Sequence, residues 1–164
     1  MSVYGRILLA CLGSVALLLG ALVFQYGWGL APCPMCLWQR WPHAIAIVLG
    51  VAAMTLLWQH RRVLSGLGFV TMAISTGLGL FHAGVEQLWW EGPSTCSGVD
   101  PNSMNSEDLL NAIMDAPMVR CDEIVWDLWG ITMAGWNAII SLGLALLWLF
   151  AALPKTPTRH VVPG

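Results

Sequence analysis

Long apolar blocks alternate with short polar segments along this chain, and the blocks set the expected architecture. Four of them cover about residues 7–24, 43–58, 63–83 and 131–153, and the second can be extended backwards through Trp41 and Trp38. A helix that crosses the hydrocarbon core needs roughly 20 mostly apolar residues, because that core is about 30 Å thick. Backbone in lipid has to satisfy its own hydrogen bonds, so blocks of this length predict helices and not isolated strands. The pattern predicts an all-α membrane protein, a four-transmembrane-helix bundle forming a single domain over residues 1–164. A cleaved signal peptide is the competing reading of the first block. The run is long for that role, and three further spans follow it, so it is read as a helix.

Composition agrees with a lipid solvent. Of the 164 residues 57% are hydrophobic and 10% charged, against about 25% charged in an ordinary soluble domain. The basic residues then orient the bundle. Arg6 precedes the first block, Arg61 and Arg62 lie between the second and third, and Lys155 and Arg159 follow the fourth. With four crossings these positions share one face, which the positive-inside rule makes cytoplasmic. Both termini are then cytoplasmic, and two loops, about residues 26–42 and 85–130, are periplasmic or otherwise external. Those loops hold Arg40, Arg120 and all nine acidic residues. Most of the ten tryptophans fall near the outer boundary, with Trp58 and Trp148 expected near the inner one, where amphipathic rings prefer to sit.

The chemistry sits in the cysteines. Cys33 and Cys36 lie in the first external loop, Cys96 and Cys121 in the second, and Cys11 lies inside the first apolar block with no visible partner. Disulfides persist outside the cytoplasm, so two external pairs read as two disulfides. Four cysteines allow three connectivities, which sequence leaves open. Cys33-Pro34-Met35-Cys36 is a C-x-x-C, whose close sulfurs often have lowered thiol pKa and redox activity. Zinc sites use the same spacing, but Cys96 and Cys121 lack a matching C-x-x-C, so no metal is expected. Arg40 follows Cys36 by four residues and shares its face if the segment is helical, where its charge would favour the Cys36 thiolate. Pro42 either starts the second helix or kinks it.

Cys96 lies among Pro93, Gly98 and Pro101, a stretch expected to be open to another protein. Between Cys96 and Cys121, Asn105 or Ser106 can cap a short helix with an apolar stripe of Leu109, Leu110, Ile113 and Met114. His82 lies near the outer end of the third block as Arg40 lies near that of the second, and the two could grip the carbonyls of a ring. Glu86 is one turn on and could orient the histidine, while His43 and His60 read as interface residues. Gly77, Gly79 and Gly143 are expected to allow close helix packing. No nucleic-acid motif and no dinucleotide-binding glycine fingerprint is visible.

The stretch from Ala31 to Pro42, with its C-x-x-C-x-x-x-R pattern, resembles the first periplasmic loop of DsbB-type disulfide bond formation proteins. Val119-Arg120-Cys121-Asp122-Glu123, with Trp126, Gly130 and Trp136-Asn137 beyond it, resembles the same family, as does His82-Ala83-Gly84-Val85-Glu86 followed by Trp89, Trp90 and Cys96. The resemblance runs through nearly the whole chain. It implies a protein-dithiol:quinone oxidoreductase of the bacterial inner membrane. In that scheme a DsbA-like periplasmic thiol oxidoreductase attacks Cys96, Cys121 resolves the mixed disulfide or pairs with Cys33, and Cys36 is freed as a thiolate beside a membrane quinone, ubiquinone or menaquinone, held by Arg40. Other readings remain open at the sequence level. They are a vitamin-K-epoxide-reductase-like enzyme (whose C-x-x-C belongs to a late helix), a cytochrome with haem on His43 and His82, and a membrane subunit whose disulfides only staple its loops.

Overall fold

The computed structural model describes residues 1–93, 96 and 119–154. Among these residues four long helices carry the fold: α1 (Val3–Leu22), α2 (Pro34–Met54), α3 (Arg61–Glu86) and α4 (Met133–Ala152). The sequence explains their starts. The Ser2 hydroxyl caps α1 by accepting the Gly5 N–H at 3.0 Å, and the Thr132 hydroxyl caps α4 by accepting that of Gly135 at 3.1 Å. Cys33 caps α2, its Sγ accepting the Cys36 N–H at 3.2 Å, and Pro34 takes the first helical position, where a missing N–H costs nothing. Helix α2 thus begins well before the apolar block that revealed it. Pro42 lies inside the helix, so the segment expected as loop up to residue 42 is helical from Pro34 onward.

Helix α1 runs on into a π-helical turn, Val23–Gly27, and a 3-10 turn, Trp58–His60, leads from α2 into α3. A two-residue hairpin precedes α4: β1 (Asp127–Leu128) pairs antiparallel with β2 (Ile131–Thr132), with Leu128 opposite Ile131. Trp129 and Gly130 join them with φ of 55° and 75°, the paired left-handed conformation that tight hairpins favour.

The helices close into a four-membered ring, α1 packing on α2 and α4, and α3 on α2 and α4. Among the described residues three segments are long and apolar enough to cross a membrane: Val3–Gly27, Trp58–Glu86 and Met133–Ala152. Helix α2 does not meet that standard, because Gln39, Arg40 and His43 dilute its first half. The helix faces are sorted against the usual soluble rule. Ser14, Ser65, Ser75 and Ser141 are each fully buried, whereas Leu12, Leu19, Leu67 and Leu142 are exposed. Along α1 the inward positions Ile7, Ala10, Cys11 and Ser14 keep the three- and four-residue spacing of one helix stripe. Small inward residues and large outward ones are what a bundle solvated by lipid requires.

Close packing depends on particular glycines. A side chain at Gly79 would lie 3.0 Å from Ala138, so α3 and α4 approach there as expected. Gly77 and Gly143 face open space and have no such role. Gly50 and Gly68 do, the first against Cys11 and Trp148 and the second against the Trp148 ring. Trp148 is fully buried in the core and is not an inner-boundary residue. His43 is likewise buried, 2% exposed, and not at an interface. Cys11 is a buried free thiol in the same core as Trp148. The short helix and apolar stripe expected around residues 105–114 lie outside the described residues.

Candidate redox site

The start of α2 meets the end of α3 and the chain around Cys121, and three cysteines are packed there out of water. Cys33, Cys96 and Cys121 are each no more than 2% exposed, and Cys36 packs against them. Cys96 and Cys121 form a disulfide, with the Cys121 N–H donating to the Cys96 carbonyl at 3.2 Å. Cys33 and Cys36 are free thiols with sulfurs 3.0 Å apart. Cys96 is therefore not open to a partner in this state, contrary to the expectation from its loop composition.

Cys33 is the sulfur prepared for ionisation. Once Cys33 is ionised, the Cys36 thiol 3.0 Å away is the donor to it, the His82 ring lies against it, and the Cys36 backbone N–H points at it. Together these outweigh burial and bring the Cys33 thiol down to about 4. A hydrogen bond to the charged form is a direct cause of such lowering, and a thiolate is the nucleophilic form. Sequence spacing had assigned thiolate stabilisation to Cys36 through Arg40. The helix does place them one turn apart, but the Arg40 guanidinium donates to Gln25 Oε1 at 2.7 Å.

His82 and Arg40 line one cavity, although His82 is turned to the cysteines. Its Nε2 is 3.5 Å from Cys33 Sγ and 3.8 Å from Glu86 Oε1, and its Nδ1 is 2.7 Å from Gln39 Nε2. Gln39 Oε1 accepts from Asn137 Nδ2 at 2.6 Å, and Asn137 Oδ1 faces His43 Nε2 at 3.0 Å. Asn137 and Gln39 thus link α4 to the cysteine end of α2 and α3. Glu86 does stand beside His82, as its position one turn on suggested. The roles of Gln39 and Asn137 went unseen. Their signal was available: a carboxamide inside an apolar helix is costly unless it finds partners.

Cys33, His82 and Cys121 place their ligand atoms within 4.8 Å of one another. Cys121 is bonded to Cys96 and has no thiolate to offer a metal in this state. The cluster instead brings a nucleophilic sulfur to a disulfide sulfur, the geometry that exchange requires. Beside it lies a cavity of about 380 Å³ between α1, α2 and α4. Leu17, Ala21, Phe24, Met133 and Ile140 give it apolar walls, and Cys36, Arg40 and Glu86 reach it.

A helical frame of membrane-spanning character, holding a thiol pair against a disulfide, defines a membrane thiol-disulfide oxidoreductase. Comparison with known proteins gives the same class a family. The chain matches the family described as "Disulfide bond formation protein DsbB" over residues 5–151, and it belongs to that family. It is similar to disulfide bond formation protein B of Polaromonas sp. (strain JS666 / ATCC BAA-500), with 34% identity, 86% of this chain and 85% of the relative being covered. The proteins of the same name from Polaromonas naphthalenivorans (strain CJ2) and Shewanella sp. (strain MR-4) are 33% and 32% identical, covering 90% and 86% of this chain and 90% and 82% of theirs. No solved structure matches the chain.

Proposed function

We propose that this protein is a protein-dithiol:quinone oxidoreductase that reoxidises a DsbA-like thioredoxin-fold protein in the periplasm. The observation that carries this reading is the meeting of Cys33 with Cys121 beside an apolar cavity that Cys36 also lines. In this scheme the partner's dithiol reduces the Cys96–Cys121 disulfide, attacking at Cys96 after the surface over it opens. Two thiols result, and the partner leaves as a disulfide. Cys121 then attacks Cys33 of an oxidised Cys33–Cys36 pair. The Cys33–Cys121 bond forms, the Cys33–Cys36 bond breaks, and Cys36 keeps the electron pair as thiolate. Cys96 next attacks Cys121, which restores the loop disulfide and leaves Cys33 and Cys36 as the reduced pair.

The cavity residues fit a quinone: apolar walls suit a flat lipid-soluble ring, and Arg40 supplies a donor for a carbonyl oxygen. A quinone, ubiquinone or menaquinone, supplies the two-electron acceptor chemistry, and the protein supplies position and thiolate. His82 serves Cys33 more directly than it serves the ring, holding the thiolate at the outer end of α3. In this reading the bundle lies in the bacterial inner membrane with both termini cytoplasmic, α2 completing the fourth crossing and the cysteine loops in the periplasm.

Quinone reduction by the purified protein with a reduced thioredoxin-fold donor tests this. Cys33→Ser, Cys36→Ser, Cys96→Ser and Cys121→Ser are each expected to abolish turnover. Normal turnover in any one of them would falsify the four-cysteine relay.

A further inference from the structure

Among the described residues Glu86 is the one carboxylate at the cysteine site whose side chain is nearly buried, and its spacing along the sequence suggested only an orienting role. Its side chain is 8% exposed. Oε1 faces His82 Nε2 at 3.8 Å, and that same nitrogen is 3.5 Å from Cys33 Sγ. Among the described residues Oε2 is buried with no hydrogen bond inside 3.5 Å, the Thr132 hydroxyl being a neighbouring donor to the carboxyl, and the residue lines the cavity that Cys36 also reaches. A buried ionised carboxylate with an unpaired oxygen is expensive. A neutral carboxyl in the same place costs less and holds an O–H ready for an acceptor in the cavity.

We infer that Glu86 stores the proton given up by Cys33 and delivers it to the electron acceptor when the cysteine pair is oxidised. This rests on the proposed quinone reduction. The step balances as follows. In the reduced state Cys33 is a thiolate, Cys36 a thiol and Glu86 a carboxylic acid, with the His82 Nε2–H between Cys33 and Glu86. Two electrons pass to the quinone as the Cys33–Cys36 bond forms. The Cys36 S–H and the Glu86 O–H break, and their two protons make the quinol. Glu86 is left as a carboxylate beside His82, and a proton from the next incoming thiol pair restores it.

The geometry sets Glu86 apart from the other charged groups around the cavity. Cys33, Cys36 and His82 are the titratable groups packed closest, and Thr132 is its polar neighbour from the start of α4. Arg40 is engaged with Gln25 and Arg120 with Asp122, and Glu123 belongs to an exposed stretch of the cavity lining. None of these is a carboxyl held against the same His82 nitrogen that Cys33 faces.

Infrared difference spectra of the full-length, quinone-free protein test the storage step directly. Converting the Cys33–Cys36 disulfide to the reduced pair should raise the carbonyl band of a protonated carboxylic acid. The band should shift in heavy water and be missing in Glu86→Gln. Turnover gives the second readout. Glu86→Gln should lower kcat for quinone reduction on the order of a hundredfold, the usual worth of positioned acid–base catalysis, with KM for quinone unchanged. Glu86→Asp, which keeps the exchangeable proton, should recover part of the loss and move the pH profile. Absence of a redox-linked acid band in the unsubstituted protein would overturn the inference, even if Glu86→Gln failed to fold. So would a wild-type kcat and pH profile in Glu86→Gln. Failure of the unsubstituted protein to reduce quinone would instead remove the function on which the delivery step depends.

Discussion

Cys33 illustrates how a single sulfur is tuned by its neighbours. Its ordinary value of 9.0 falls to about 4, and the Cys36 donor is the largest cause, with the His82 ring smaller. The sign for stability follows from that direction. A depressed native pKa contributes stability fully above the unfolded value near 9, and the contribution is lost as pH falls toward 4. Reactivity follows the same thiolate. In the protein with Cys33 and Cys36 reduced, the ultraviolet thiolate absorbance is expected to stay flat between about pH 5 and 8 and to fall only near pH 4. Cys36→Ala should raise that midpoint more than His82→Ala does, because the larger cause is removed. The reverse order would show that the histidine, and not the neighbouring thiol, holds the charge. At this scale the sequence was readable in part. The C-x-x-C named the right sulfurs, but spacing along one helix could not show that Arg40 turns to Gln25 or that His82 comes from another helix to reach Cys33.

Helices α3 and α4 share the most extensive packing among the described helices, and their seam depends on residues without side chains. A Cβ at Gly79 would crowd both the Ala138 side chain and its backbone nitrogen, and neither is a flexible end that can swing away. Gly79→Val is therefore expected to separate the helices at about 1–3 kcal/mol, the usual cost of overpacking. Gly77→Ala, two residues away and facing open space, should leave the melting temperature of the detergent-solubilised protein unchanged. Equal melting of the two variants would contradict the close approach. Apolar length made three of the four helices plain from sequence, since each is long and uniform. Helix α2 was harder to bound because its cysteine end is polar and carries two internal signals, Pro34 and Pro42, that look alike in sequence. Only the capping by Cys33 shows that the first proline opens the helix and the second is carried inside it. The glycines had the same difficulty, since a glycine that permits contact and one that faces outward are the same letter.

The whole molecule is organised by a difference between its two ends. Arg6, Arg61 and Arg62 gather at one end, while Glu86, Asp122, Glu123 and Asp127 accompany the cysteines at the other. The orientation proposed here can be read in intact cells with a membrane-impermeant maleimide. Glu91→Cys should be labelled from outside, and Gln59→Cys only after the membrane is opened. Both positions are exposed, so access to each is limited by the bilayer and not by the fold. Labelling in the opposite order would invert the bundle and place its thiol chemistry in a reducing compartment. Membrane character was legible at this scale because composition is a sum over the chain, whereas the redox class came from the cysteine motifs and the family resemblance. The polar links between helices were not legible, because Gln39, His82 and Asn137 are distant in sequence and meet only when the ring closes.

Serine inside and leucine outside has a practical consequence. The surface that lipid would cover is greasy over most of its girth, with side chains such as Leu56, Val48 and Leu80 standing free. Stripped of amphiphile, such molecules will stick to one another while their hydroxyl-lined interiors stay knit. Handling losses should therefore show up as clumping of intact bundles before any helix melts.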